Sequence, residues 1–391
     1  MRVLILSCNT GEGHNACGRA IQECFRAHGV HCDMDDAFRF ISKGASQVMS
    51  DGFVRIYRHC PELFEFGYNY TEKHPGMLSE DSGLYKMLAM GADRLFRYIY
   101  SGAYDSVVCT HIFAALMLNN IKRRYPSFSV HTSFFPTDYT CYPGTEHCGM
   151  DTYFIPAAAL VPDFVSRGIP ASKLDPSGIP IRMEFYQRMP REKARKKMNL
   201  PVNCHHLMVM CGSMGCGPIR RIAQMIRSEL PADCIVSIIC GTNRQLYKKL
   251  AKTFYTDDRF RIYQYVDDIS TMMDSADLFL TKPGGISVTE ASHKRLPMVF
   301  VNAVEGCESY NKRFFTSRGI AVTADSLPEL AHQTVSLLCD DAALAKMTQA
   351  QAEYFPTNAT EHVVQSLMAA YHPVASHPKE AFVHEPAQAM C

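Results

Sequence analysis

The chain has 391 residues, too many for one ordinary hydrophobic core, so two domains are the first expectation. It is 47% hydrophobic and 20% charged, which excludes a disordered chain, and a formal net charge of +1 excludes a global field that would draw in nucleic acid. Its 16 cysteines are scattered with no CxxC pair, so a zinc site is not expected; they read as small reduced core residues in a reducing compartment.

The apolar stretch at residues 2–7 is far too short for a signal peptide, and no run approaches the ~18 apolar residues of a membrane-spanning helix. A cytoplasmic protein that meets any membrane from outside the bilayer is expected. Apolar runs at 3–7, 30–34, 107–110 and 130–135 alternate with helical stretches. A second series follows at 207–211, 234–240, 261–266, 278–281 and 298–301. Continuous apolar strands alternating with helices predict an α/β fold with parallel sheets covered on both faces, in two lobes of similar kind.

The first strand runs into Thr10-Gly11-Glu12-Gly13-His14 and then a helix ending near Gly29. A strand, a glycine turn and a helix N-terminus together aim backbone N–H groups at an anion or an oxygen-rich ligand. Gly13-x4-Gly18 nearly matches a P-loop, but Arg19 and Ala20 replace the required Lys and Ser/Thr, so ATP hydrolysis is not expected. The absence of GxGxxG speaks equally against a nicotinamide oxidoreductase. His14 stands at the carboxyl end of the first strand, where open α/β sheets place ligands, and a neutral imidazole there can take the proton of a hydroxyl nucleophile. Asp33, Asp35 and Asp36 follow the second strand and read as caps of a turn rather than a manganese site. Between residues 38 and 100 the chain carries Phe38, Arg39, Phe53, Arg55, Tyr57, Arg58, Phe64 and Phe66, then a helix-like stretch over 84–100 with Leu84, Leu88, Leu95 and Ile99 along one side. Most of these belong to a core; a minority suit the membrane interface beside anionic headgroups.

The seam lies between Pro180 and Pro201, where PREKARKKMNLP reads as a linker followed by a short solvated helix. The expected division is a first lobe at 1–183, a second at 184–354, a C-terminal helix at 355–371 and a disordered tail over 372–391. The second lobe opens with Gly212-Ser213-Met214-Gly215, whose small residues let phosphate oxygens approach the backbone. Further on, Pro283-Gly284-Gly285 turn the chain into a helix carrying Ile286, Ser287 and Glu290. Its N-terminus suits a diphosphate, and the Glu290 carboxylate suits a ribose diol. Glu308 and Asn311, one helical turn apart, suit sugar hydroxyls.

In this order GEGHNACGRAI, TDY, SGIPIR, GSMGCGPI, YVDDI, TKPGGISVTEA and EGCESYN resemble the motifs of diacylglycerol glycosyltransferases. These are the monogalactosyldiacylglycerol synthases of plastids and the bacterial processive diacylglycerol β-glucosyltransferases. The likeness extends more distantly to the lipid-linked N-acetylglucosamine transferase of peptidoglycan synthesis. The resemblance implies a GT-B fold, two Rossmann-like lobes with an interlobe cleft, whose last helix packs back on the first lobe. It implies inverting, metal-independent transfer without a cofactor, from UDP-glucose or UDP-galactose to a lipid acceptor such as diacylglycerol, by an enzyme in peripheral contact with the cytoplasmic membrane face. By the same resemblance His14 and Asp138 are the catalytic pair, Arg182 follows the interlobe turn, Ser213 and Gly285 to Ser287 meet the diphosphate, Val266 reads uracil and Glu290 holds the ribose. The chain departs from the pattern at Cys307, where the family usually has glutamine, and in lacking tryptophan. Both departures surround the sugar and acceptor pockets and leave those identities open. Two other readings are a UDP-sugar 2-epimerase working on the donor alone and a nucleotide-sugar sensor, which would have no use for His14 and Asp138.

Overall fold

β1 (Arg2–Ser7) is apolar on both faces, with Val3, Leu4, Ile5 and Leu6 fully buried, a pattern that only a strand covered from both sides supports. In the computed structural model, which describes residues 1–9, 11–42, 44, 46, 47, 49, 52, 70–301 and 306–371, β1 lies in a six-stranded parallel sheet. The others are β2 (His31–Asp36), β3 (Ser106–Cys109), β4 (His131–Phe134), β5 (Thr152–Phe154) and β6 (Leu174–Asp175), ordered β2-β1-β3-β4-β5-β6. A second parallel sheet holds β7 (His205–Met210), β8 (Cys234–Ile239), β9 (Phe260–Tyr263), β10 (Leu278–Thr281), β11 (Met298–Phe300) and β12 (Ala321–Thr323), ordered β12-β11-β10-β7-β8-β9. In each sheet the chain reverses its direction of travel once: between β1 and β3, and between β7 and β10. The loops leaving the carboxyl ends of those strands diverge there and open a crevice. The three glycine turns read from the sequence, after β1, β7 and β10, sit at these two points.

Six helices shape the seam between the lobes and the return of the chain to the first lobe. α1 (Glu12–Ala27) leaves the first glycine turn and stops at Gly29, whose φ of 72° suits a residue without a side chain. α2 (Ile112–Arg124) follows β3, and α3 (Arg191–Lys197) opens the second lobe. α4 (Gly285–His293) follows β10, α5 (Cys307–Thr316) follows β11, and α6 (Ala359–Ala369) is the last described element. α6 returns to the first lobe, where Val363, Val364 and Leu367 join Val3, Ile5, Ile21 and Phe25 in one apolar cluster. Thr360 fastens it, its hydroxyl donating to Ile181 O at 2.6 Å and accepting from Ile181 N at 3.0 Å. Among the described residues no helix is long and apolar enough to cross a membrane.

Several expectations are corrected. The helix-like stretch over 84–100 resolves into two helices, Gly83–Ala89 and Ala92–Ser101, broken at Met90 and Gly91. A Cβ on Gly91 would come within 3.0 Å of the Ile41 and Phe40 backbone, so close packing, not sequence periodicity, decides the break. Asp33, Asp35 and Asp36 lie within β2, and Asp36 caps the following turn by accepting from Phe38 N at 2.9 Å. The aromatic and basic residues Phe53, Arg55, Tyr57, Arg58, Phe64 and Phe66, Thr10 of the glycine turn, and the tail over 372–391 lie outside the described residues.

α3 is solvated over most of its length, as expected, with only Ala194 and Arg195 buried. Arg195 turns inward and meets Asp277 at 2.6 Å, with both side chains 8% exposed, while Arg191 reaches the other carboxylate oxygen at 2.7 Å. Asp277 also accepts from His206 N at 2.7 Å, so the pair ties α3 to the start of the second sheet. Removing one partner of a buried pair strands the other. Arg195→Ala is therefore expected to lower unfolding free energy by about 3 kcal/mol in denaturant titration. An unchanged midpoint would mean that this pair does not dock α3.

Candidate active site

His14 lies in the first turn of α1, at the switch point of the first sheet. Its Nδ1 is 2.8 Å from Thr110 O at the carboxyl end of β3 and 2.9 Å from Thr137 Oγ1. A carbonyl only accepts, so Nδ1 carries the proton and Nε2 keeps its lone pair. Burial lowers the ring's affinity for a second proton, against the opposing pull of the Asp138 carboxylate and the Thr110 carbonyl. A second imidazole, His111, stands edge-on with its centroid 4.5 Å away. Its Nδ1 accepts from Phe113 N at 3.1 Å and caps α2. Burial, and then the proximity of His14, hold His111 well below the ordinary histidine range. His111 was not read from the sequence; the available signal was its place just past β3, across the switch point from His14.

Asp138, in the turn after β4, reaches across to the second lobe. Its Oδ1 accepts from Gly285 N at 3.2 Å, the first residue of α4, and from Asn311 Nδ2 at 2.6 Å. Its Oδ2 accepts from Tyr142 OH at 2.5 Å. Burial raises its pKa, with the Tyr142 and Asn311 hydrogen bonds and the nearby His14 opposing. Asn311 was expected at sugar hydroxyls, and the structure places it otherwise. It is fully buried, its Oδ1 accepts from Tyr139 N at 2.6 Å, and its Nδ2 also donates to Pro283 O at 2.8 Å. Both polar atoms of its side chain are thus spent clasping the two lobes. Gly285 tolerates no side chain, because a Cβ there would be 1.9 Å from Thr137 O. A Cβ on Gly13 would meet Ile286 at 3.5 Å, so the two glycine turns face each other across the seam. Glu12 points away and pairs with Arg19 at 2.9 Å.

On the opposite side the loop after β7 packs against the loop after β10. Gly212 has φ 70°, and a Cβ there would sit 2.9 Å from Cε of Lys282. Lys282 pairs with Glu308 at 2.6 Å, so Glu308, also expected at the sugar, has a cation beside the glycine turn as a partner. Lys282 was not singled out from the sequence, although it immediately precedes Pro283-Gly284-Gly285. Ser213 O accepts from Thr242 N at 2.8 Å, which braces the loop, and Met214, Ile286 and Ser287 are half-buried along it. Val266, half-buried after β9, packs on the core. Arg182 ion-pairs with Glu184 at 3.2 Å, and its charge acts on Glu290.

The monogalactosyldiacylglycerol (MGDG) synthase family model matches residues 14–181, and the model for glycosyl transferases group 1 matches residues 226–354. The chain is a glycosyltransferase. It is 26% identical over 383 residues to a protein of Bacillus cereus described as processive diacylglycerol beta-glucosyltransferase, covering 96% of this chain and 95% of that one. Its fold is that of MurG from Acinetobacter baumannii, with a TM-score of 0.66 and 14% identity over 94% of this chain and 99% of that one. It is also that of Anabaena HepE in complex with UDP-glucose, with a TM-score of 0.56 and 14% identity over 95% and 100%. This is the GT-B architecture expected from the motifs.

In the glycosyltransferase Glu290 is 7% exposed, and burial pushes its carboxyl up to about 8 against the opposing charge of Arg182. A carboxyl whose folded value lies above its unfolded one contributes stability at low pH and loses it as pH rises through about 8. The window lies between its ordinary value of 4.5 and about 8. Glu290→Gln removes this dependence. The variant is expected to match the parent near pH 5 and exceed it near pH 9 by on the order of 4 kcal/mol. Parallel stability–pH curves for the two proteins would contradict this assignment.

Proposed function

We propose that this glycosyltransferase moves a hexose from UDP-glucose or UDP-galactose to diacylglycerol at a membrane surface, with inversion at the anomeric carbon and without a metal. The observation that carries the reading is His14: an imidazole with its Nδ1 proton directed at a backbone carbonyl and its Nε2 lone pair kept, beside the seam where the first lobe abuts the N-terminus of α4. A hydroxyl entering from the first lobe gives its proton to Nε2 as its oxygen bonds to the anomeric carbon. The bond from that carbon to the diphosphate oxygen breaks, and its electron pair leaves with UDP. The developing charge is met by the amides of α4 and by Lys282, positive groups that serve in place of a divalent ion. Glu290 takes the ribose diol. The names borne by the Bacillus cereus relative and the MGDG synthase family support diacylglycerol as acceptor, and the UDP-glucose bound by the Anabaena protein of the same fold supports the donor class. In the first lobe, Tyr70, Met77 and Met90 are large side chains left exposed, which suits peripheral contact with lipid.

UDP release measured with each sugar nucleotide, with and without diacylglycerol vesicles, tests the proposal. Release without the lipid, or sugar isomerised without transfer, would instead favour an enzyme acting on the donor alone. His14→Ala is expected to cut turnover by about 10²–10⁴-fold while leaving UDP affinity nearly unchanged. Because burial lowers the imidazole's pKa, the parent's rate should hold down to a pH below the ordinary ~6.5 before protonation removes the base. Loss of UDP binding in His14→Ala would reverse the assignment of lobes to substrates. Glu290→Ala is expected to weaken UDP binding by roughly 1–3 kcal/mol in calorimetry, through the stranded ribose hydroxyls; unchanged affinity would place the ribose elsewhere.

A further inference from the structure

At the end of α1 remote from His14, three side chains converge from two helices. Cys24 and His28 lie four residues apart, on one face at the C-terminal end of α1, and Glu361 lies in the first turn of α6. Cys24 Sγ is 3.4 Å from Glu361 Oε2, and His28 Nε2 is 2.8 Å from Glu361 Oε1. One donor atom from each of the three lies within 4.8 Å of the others. Around a tetrahedral zinc with bonds of about 2.0–2.3 Å, neighbouring donor atoms stand about 3.3–3.8 Å apart, so shifts of side-chain scale suffice. Sulfur, imidazole nitrogen and carboxylate oxygen together form a donor set for a borderline-soft divalent cation rather than for magnesium or calcium. Gln365, one turn further along α6, donates to Glu361 Oε1 at 2.7 Å, the kind of outer contact that orients a ligating carboxylate. The position is half open: Cys24 is buried, Glu361 partly covered and His28 exposed, so a cation can enter and water can complete its coordination.

We propose that Cys24, His28 and Glu361 form a zinc site that staples the terminal helix α6 to α1. Binding transfers the thiol proton to solvent and leaves a thiolate, a neutral imidazole and a carboxylate on the ion. About ten residues of helix, or roughly 15 Å, separate Cys24 from His14, so the ion takes no part in the reaction. Its effect is on the element that returns from the second lobe and closes over the first sheet.

Cobalt(II) titration of the purified, metal-stripped full chain tests this, because a thiolate ligand gives cobalt a near-ultraviolet charge-transfer band. The expected result is a band saturating at one equivalent and displaced by zinc. It should be abolished by Cys24→Ser and strongly weakened by Glu361→Gln, while Gln365→Ala is expected to cost about 10–100-fold in affinity. UDP binding, which involves the far end of α1, should be unchanged in all three and reports that each is folded. If Cys24→Ser does not fold, His28→Asn provides the same reading from an exposed position. Absence of a saturable band, or an equal band in Cys24→Ser or His28→Asn, overturns the proposal.

Discussion

The contact on which the arrangement of the site depends is a carboxylate of one lobe capping a helix of the other. Removing a carboxylate from water costs several kcal/mol, and the donors placed around Asp138 offset part of that cost. Gly285 N and Asn311 Nδ2 come from the second lobe, and Tyr142 OH comes from its own. The positive end of the α4 dipole adds to them. This close approach dictates the residues around it. Gly285 must lack a side chain because the backbone at Thr137 is already there. Asn311 must be an amide, because it donates to Asp138 and Pro283 while accepting from Tyr139 N. Neither Asp nor Leu, its nearest isosteres, offers both functions.

The same contact couples the lobes chemically. Asp138 raises the proton affinity of His14, burial lowers it, and burial prevails. The carboxylate thus moderates the imidazole without converting it to a standing cation. On the proposed reading, the diphosphate of the donor is directed to the α4 amide that Asp138 now holds. Two anions at one helix N-terminus repel, so donor binding and the position of the Thr137–Asp138 turn are linked. Thr137 Oγ1 also touches His14 Nδ1, so a shift of that turn is felt at the base.

Features carried by local chemistry were legible in the sequence. The continuous apolar runs became parallel strands, and the three glycine turns became the loops at the two switch points. The short strands β5, β6 and β12 were missed, since two or three residues hold no periodicity to read. Asn311 and Glu308 were assigned from their spacing on a helix, which told correctly that they share a region. Their partners, Asp138 and Lys282, lie 173 and 26 residues away and obey no local rule. His111 escaped notice for the same reason, because its meaning comes from β1 and β3 being neighbours although more than 90 residues separate it from His14.

The pairing of these two histidines decides which nitrogen at the seam is basic. Two imidazoles with centroids 4.5 Å apart in a buried crevice cannot both be charged without strong repulsion. His111 is fixed as an acceptor by Phe113 N, which commits its Nδ1 lone pair and makes it a poor site for a further proton. His14 is fixed as a donor toward Thr110 O, which commits its Nδ1 proton. The backbone just past the end of β3 therefore assigns opposite tautomers to adjacent rings. Among the described residues only one basic lone pair of the two is left uncommitted, Nε2 of His14, and a helix turn and two strand ends, rather than flexible side chains, set its direction.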